Sequence, residues 1–159
     1  MSNKVLRIRR IVIATLYILG LVLIGSAFAA EFTSLGPTPG FGVLQTFFFL
    51  AGVTALMMGG YLHLAERRTP DAPRSLQADI GIRLSATGLV LAYVGGFADS
   101  ISIGTHIQPA FERPFLGPLQ WGGIILGLIM ILGGMVLYAT ARGQRSISSM
   151  DFLLNGRKQ

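Results

Sequence analysis

Asp99, His106, Glu112 and Arg113 fall in one short stretch of a chain in which only 13% of the residues are charged. Two carboxylates, an imidazole and a guanidinium are the groups from which a proton relay or a metal site is built. The spacing argues against metal, because no HxxxH, HExxH or carboxylate cluster is present. The plainer reading is a helix end at Asp99 with Glu112 and Arg113 paired locally. There is no cysteine, which excludes disulfides, thiolate nucleophiles, iron–sulfur ligation and covalently attached haem. With two histidines and seven acidic residues, no nucleophile–base pair or metal set can be assembled, so no enzyme is expected.

The other histidine, His63, has Gly59 one turn before it. A histidine that follows a small residue by one turn can coordinate a magnesium chlorin, since the gap admits the flat ring. The spot resembles the histidine sites of light-harvesting helices, and that resemblance implies a chlorin, or by similar ligation a haem, at His63. The bland alternative is an interfacial histidine that hydrogen-bonds headgroups or pairs with Glu66 at i+3. Two histidines of one chain cannot share a haem here, because His106 falls at the other end of the bundle that the hydropathy implies.

The elements that must position these groups are apolar. Of 159 residues 52% are hydrophobic, and the mean hydropathy is +0.62. Four runs are long enough to cross a ~30 Å hydrocarbon layer as helices: about 11–30, 43–65, 80–103 and 119–141. The reading is all-α, a four-transmembrane-helix bundle forming one integral membrane domain over 1–159. The first run also resembles a secretory signal, with a basic start and Ala27-Phe28-Ala29 as a cleavage site. Its twenty uncharged residues exceed a usual h-region of ~7–15, so a retained span is expected.

Twelve of the 13 lysines and arginines flank one side of this arrangement. Lys4, Arg7, Arg9 and Arg10 precede the first span. Arg67, Arg68, Arg74 and Arg83 border the second connection, and Arg142, Arg145, Arg157 and Lys158 lie after the fourth. Arg113 alone falls in the other two loops. By the positive-inside rule both termini are cytoplasmic, in a prokaryotic-type inner membrane. The net charge of +6 is thereby assigned to the membrane surface, and no nucleic-acid partner is expected. The outer loop 104–118, with Pro109, Pro114, Phe111 and Phe115, reads as ordered, either over its own bundle or on a partner, with Trp121 as an interfacial anchor. The tail 143–159 reads as a short amphipathic turn from Ser149 that lays Phe152, Leu153 and Leu154 on the inner leaflet or a neighbour.

Glycine is abundant, at 21 residues. Gly88-x-x-x-Ala92-x-x-x-Gly96 and Gly123-x-x-x-Gly127 are small-residue faces that permit close helix approach. One face suffices to close a minimal bundle, so the other is expected to meet a second subunit. A weak repeat accompanies them. Shifted by 75 positions, Leu44, Gln45, Gly52, Gly59, Leu62 and Arg67 match Leu119, Gln120, Gly127, Gly134, Leu137 and Arg142. The first and third spans match poorly, mainly Ala14-Thr15 with Ala86-Thr87. The readings are a duplicated helical hairpin or a chance likeness of two Gly/Leu-rich helices.

Three functional expectations follow. The leading one is a non-catalytic subunit of a larger membrane assembly, whose partners are the lipid bilayer and other subunits or copies of itself. The alternative is a small oligomeric transporter or channel, whose path would use Thr46, Thr54, Ser85 and Thr87. The third is a pigment-binding subunit using His63. The topology has a direct check: cytoplasmic reporters fused after Gln159 or within 70–78 are expected to be active, and periplasmic reporters only near Pro39 or Gln108. A periplasmic reporter active at the C-terminus would overturn the four-span reading.

Overall fold

The computed structural model describes residues 3–32, 41–67, 75–98 and 116–141. These form four helices, α1 (Asn3–Phe32), α2 (Val43–Glu66), α3 (Leu76–Gly96) and α4 (Pro118–Thr140), with no strand among the described residues. All four are long and apolar enough to cross a membrane.

Local chemistry sets where the helices start. At α2 and α4 a glycine N-cap donates its N–H to the glutamine three residues on, Gly42 to Gln45 Oε1 at 2.6 Å and Gly117 to Gln120 Oε1 at 2.7 Å. Each bond satisfies a backbone donor at the helix start, and Pro118 at N1 has no N–H to satisfy. Helix α3 starts at Leu76, before the apolar run expected from Ile80. The Ser75 hydroxyl caps it by accepting from the Ala78 N–H at 3.2 Å. The cap, and not the onset of apolar residues, sets this boundary. The same helix was expected to run to about Ile103 with Asp99 in its last turn, and this is corrected. It closes at Gly96, with the Phe97 N–H on Tyr93 O at 3.0 Å and the Ala98 N–H on Gly95 O at 3.4 Å. Helix α1 starts well before Ile11, so Arg7, Arg9 and Arg10 are carried on the helix itself.

The helices pack as two antiparallel hairpins, α1 with α2 and α3 with α4, and α2 touches α3 and α4 over a much smaller seam. Within α3 the buried positions are Ala78, Gly81, Ser85, Gly88 and Ala92; within α4 they are Gln120, Ile124, Gly127, Ile131, Gly134 and Tyr138. Both rows alternate steps of three and four, the repeat of a left-handed coiled coil. Glycine recurs at every seventh position, so the backbones themselves meet. A Cβ added at Gly127 would lie 2.5 Å from Gly88 O and 2.8 Å from Ala92 Cβ, and one at Gly81 would lie 2.5 Å from Gly134 O. In the first hairpin a Cβ at Gly52 would lie 2.8 Å from Gly20 O, and one at Gly20 2.9 Å from Gly52 O.

One expectation is corrected here. Of the two small faces, one was to be left for a second subunit, but the Gly88–Ala92 face and the Gly123–Gly127 face lie on each other. A Cβ added at Gly123 would lie 3.2 Å from Gly95 Cα, and Gly96 turns to α2, where Leu50 and Thr46 stand at 2.9 Å from its added Cβ. Two antiparallel helices with glycine at the same depth approach more closely than either could with a neighbour bearing side chains. The core sits where the hairpins meet: Leu50 and Thr46 of α2, Ile124 of α4 and Ser85 of α3 are the largest fully buried side chains.

Gly127→Ala and Gly122→Ala separate this packing from helix propensity. Alanine at Gly127 is expected to lose ~1–3 kcal/mol through overpacking against backbone. Alanine at Gly122, which has nothing within 4 Å, is expected to be neutral or to gain up to ~1 kcal/mol of helix propensity. Unfolding midpoints in an SDS titration of the detergent-solubilised protein measure both. Equal behaviour of the two variants would contradict the close α3–α4 approach.

Candidate functional site

Hydroxyl groups are the main polar features inside the bundle. Tyr61 of α2 donates toward Ser85 Oγ at 2.7 Å and Gly81 O at 3.0 Å, both on α3. Ser85 Oγ in turn donates to Ile131 O of α4 at 2.8 Å. Three helices are thus joined through two side chains, and the Tyr61 ring meets the Tyr138 ring edge-on at 5.1 Å. Nearer the other end of α2, Thr54 Oγ1 and Tyr93 Oη lie 3.1 Å apart, and Thr54 also bonds Leu50 O at 2.8 Å. Ser85 reaches a backbone carbonyl on another helix because glycines on either side of it bring α4 close.

These bonds bear on the residues proposed for a transport path. Thr46 bonds Gly42 O at 3.1 Å, and Thr87, on the outward face of α3, bonds Arg83 O at 2.9 Å. Each of the four hydroxyls has a backbone partner: Thr46, Thr54 and Thr87 on their own helices and Ser85 across to α4. Sequence reasoning missed the tyrosines. Their signal was present, since Tyr61 and Tyr93 are polar-tipped residues placed well inside apolar runs, where a phenol needs a partner.

His63 faces α1, with its ring 6.5 Å from the Tyr17 ring in an edge-on arrangement. The space beside Gly59 that a flat macrocycle would need is filled by α1, with Leu16 Cβ 3.3 Å and Ile13 O 3.7 Å from an added Cβ. The residues do not fit a chlorin or haem between Gly59 and His63. The i+3 pairing of His63 with Glu66 is also replaced: Glu66 lies 3.6 Å from Arg10 Nε, while Arg9 donates to Leu62 O at 3.2 Å, satisfying a carbonyl near the α2 C-terminus.

Asp99, His106, Glu112 and Arg113 lie outside the described residues, as do the tail and most of the outer loop. Among the described residues no three His, Asp or Glu side chains come together as a metal would require. The end of the bundle near Trp121 carries an aromatic cluster that the sequence did not announce. Phe41 stands 5.4 Å from Phe28, 6.4 Å from Phe49 and 5.8 Å from Trp121, tying both hairpins to one residue. Gln120 is buried there, with its Nε2 unpartnered among the described residues.

No family model matches the sequence, and no curated protein or solved structure matches it either.

The Tyr61–Ser85 contact is tested by a double-mutant cycle. Tyr61→Phe and Ser85→Ala are each expected to destabilise the protein, with a coupling of ~0.6–1.7 kcal/mol, the range for interhelical hydrogen bonds in membranes. Additive effects in the same SDS titration would show that the contact contributes nothing.

Proposed function

We propose that the chain is a non-catalytic integral subunit of a larger membrane assembly, contacting its neighbours through outward-facing glycines. The observation that carries this is the state of Gly25 on α1 and Gly122 on α4. A Cβ at either position would meet nothing within 4 Å. Glycine in a helix interior is unfavourable by ~0.5–1 kcal/mol relative to alanine, and the internal glycines offset this by close packing. Among the described residues Gly25 and Gly122 have no such return, but a second membrane helix laid over them would supply it. Their setting suits such a partner: α1 packs mainly on α2 and turns Ile18, Leu21 and Val22 outward, and Leu126 and Ile129 follow Gly122 on α4.

The proposal includes a duplicated hairpin with both termini cytoplasmic in an inner membrane. Like positions support the duplication. Gly52 and Gly59 meet α1 at Gly20 and Ile13, as Gly127 and Gly134 meet α3 at Gly88 and Gly81. This equates Gly20 with Gly88, a different register from the Ala14–Ala86 match in sequence. The Gly42–Gln45 and Gly117–Gln120 caps are alike as well. The positive-inside distribution supports the orientation, since antiparallel packing brings the basic start of α1, the end of α2 and the start of α3 to one end.

Gly25→Leu and Gly122→Leu are expected to insert and fold as the parent does, yet to migrate on a native gel at lower mass than the parent complex in mild detergent. A parent that migrates as a monomer of 17.0 kDa plus detergent would overturn the subunit reading. So would complexes unchanged by leucine at both positions.

A further inference from the structure

Helix α3 is the least apolar of the four spans, and the reason is an ion pair within it. Asp79 Oδ2 and Arg83 Nη2 lie 2.9 Å apart, one turn from each other, with Asp79 on the N-terminal side, the favourable orientation for such a pair. Their side chains are 53% and 79% exposed. Ionisable groups inside spans ordinarily turn to the bundle interior, but these two turn outward among Leu76, Ile80 and Ile82, which are exposed too. Arg83 is about 10 Å along the helix from its start, and a helical side chain leans toward the N-terminus. The guanidinium is thereby drawn back toward the level of phospholipid headgroups.

Beside the pair is an open cavity of about 740 Å³, walled by Ser75, Ile82 and Tyr138 as well as the two charges. It joins one cation and one anion to an apolar wall at a single membrane level. An anionic headgroup would be drawn to Arg83 and repelled by Asp79. A headgroup with both a phosphate and a primary ammonium matches both: the phosphate takes the guanidinium N–H donors that Asp79 leaves over, and the ammonium donates to the carboxylate. An acyl chain would run along Ile82. We propose that Asp79, Arg83 and this cavity form a binding site for a zwitterionic aminophospholipid, phosphatidylethanolamine in chemical class.

The test uses the full-length protein extracted from vesicles of equal phosphatidylethanolamine, phosphatidylglycerol and phosphatidylcholine, with retained lipid read by native mass spectrometry. Phosphatidylethanolamine is expected to exceed each of the others about tenfold, the ratio that one charge-assisted hydrogen bond supplies. Phosphatidylcholine has the charge but no N–H to give Asp79. Asp79→Asn should pass the preference to phosphatidylglycerol, and Arg83→Gln should abolish retention. Arg10→Gln, at the same end but away from the cavity, should change nothing. If Arg83→Gln does not accumulate, the shift in Asp79→Asn decides alone. A wild type that retains no lipid, or holds phosphatidylglycerol equally well, overturns the proposal, as does an unshifted preference in Asp79→Asn. Free phosphoethanolamine should not displace the lipid; displacement would assign the site to a soluble ligand and overturn the lipid reading.

Discussion

Contact between backbones is the interaction on which this bundle depends. In hydrocarbon, apolar side chains gain nothing by leaving lipid for protein, so helix association rests on packing and on hydrogen bonds between helices. Both fall off quickly with distance. The absence of a side chain at Gly81, Gly88, Gly127 and Gly134 lets α3 and α4 approach until carbonyls of one face the backbone of the other. Dispersion contacts of ~0.1–0.2 kcal/mol each then accumulate along the seam. The Ser85 bond to Ile131 O at 2.8 Å follows from this, because a serine side chain spans the gap only when the backbones are this near.

The seam between hairpins is of another kind. Gly60 accepts the end of the Met135 side chain, Gly96 accepts Leu50, and the tyrosines reach across by their hydroxyls. Flexible side-chain ends tolerate change where backbone does not. The protein therefore consists of two closely packed pairs held together by adaptable contacts and by the aromatic cluster at Phe41. Its interior hydroxyls serve cohesion, which is why the assembly reading rests on what lies outside, at Gly25 and Gly122.

Much of this was legible in the chain. Four long apolar runs imply four helices, because a backbone in lipid must satisfy its own hydrogen bonds. The one-sided placement of arginine and lysine separates the two termini and the middle connection from the other two connections. The Gln45–Gln120 match of the weak repeat falls on the two glutamines that cap α2 and α4, at Gly42 and Gly117. The end of α3 was less legible. Hydropathy reads composition and continues through Phe97, whereas the helix stops where backbone geometry closes at Gly95 and Gly96.

Periodicity by itself determined that Gly88, Ala92, Gly123 and Gly127 lie on packing faces, since residues four apart share one side of a helix whatever surrounds it. Only the tertiary structure decided what those faces meet. Partner choice depends on the relative depth and rotation of two helices, which no single helix encodes. The same holds for His63, whose gap at Gly59 is open in an isolated helix and closed once α1 lies against it. It holds for Tyr61 and Tyr93, whose partners are remote in the chain and come within reach only because glycine let the backbones close.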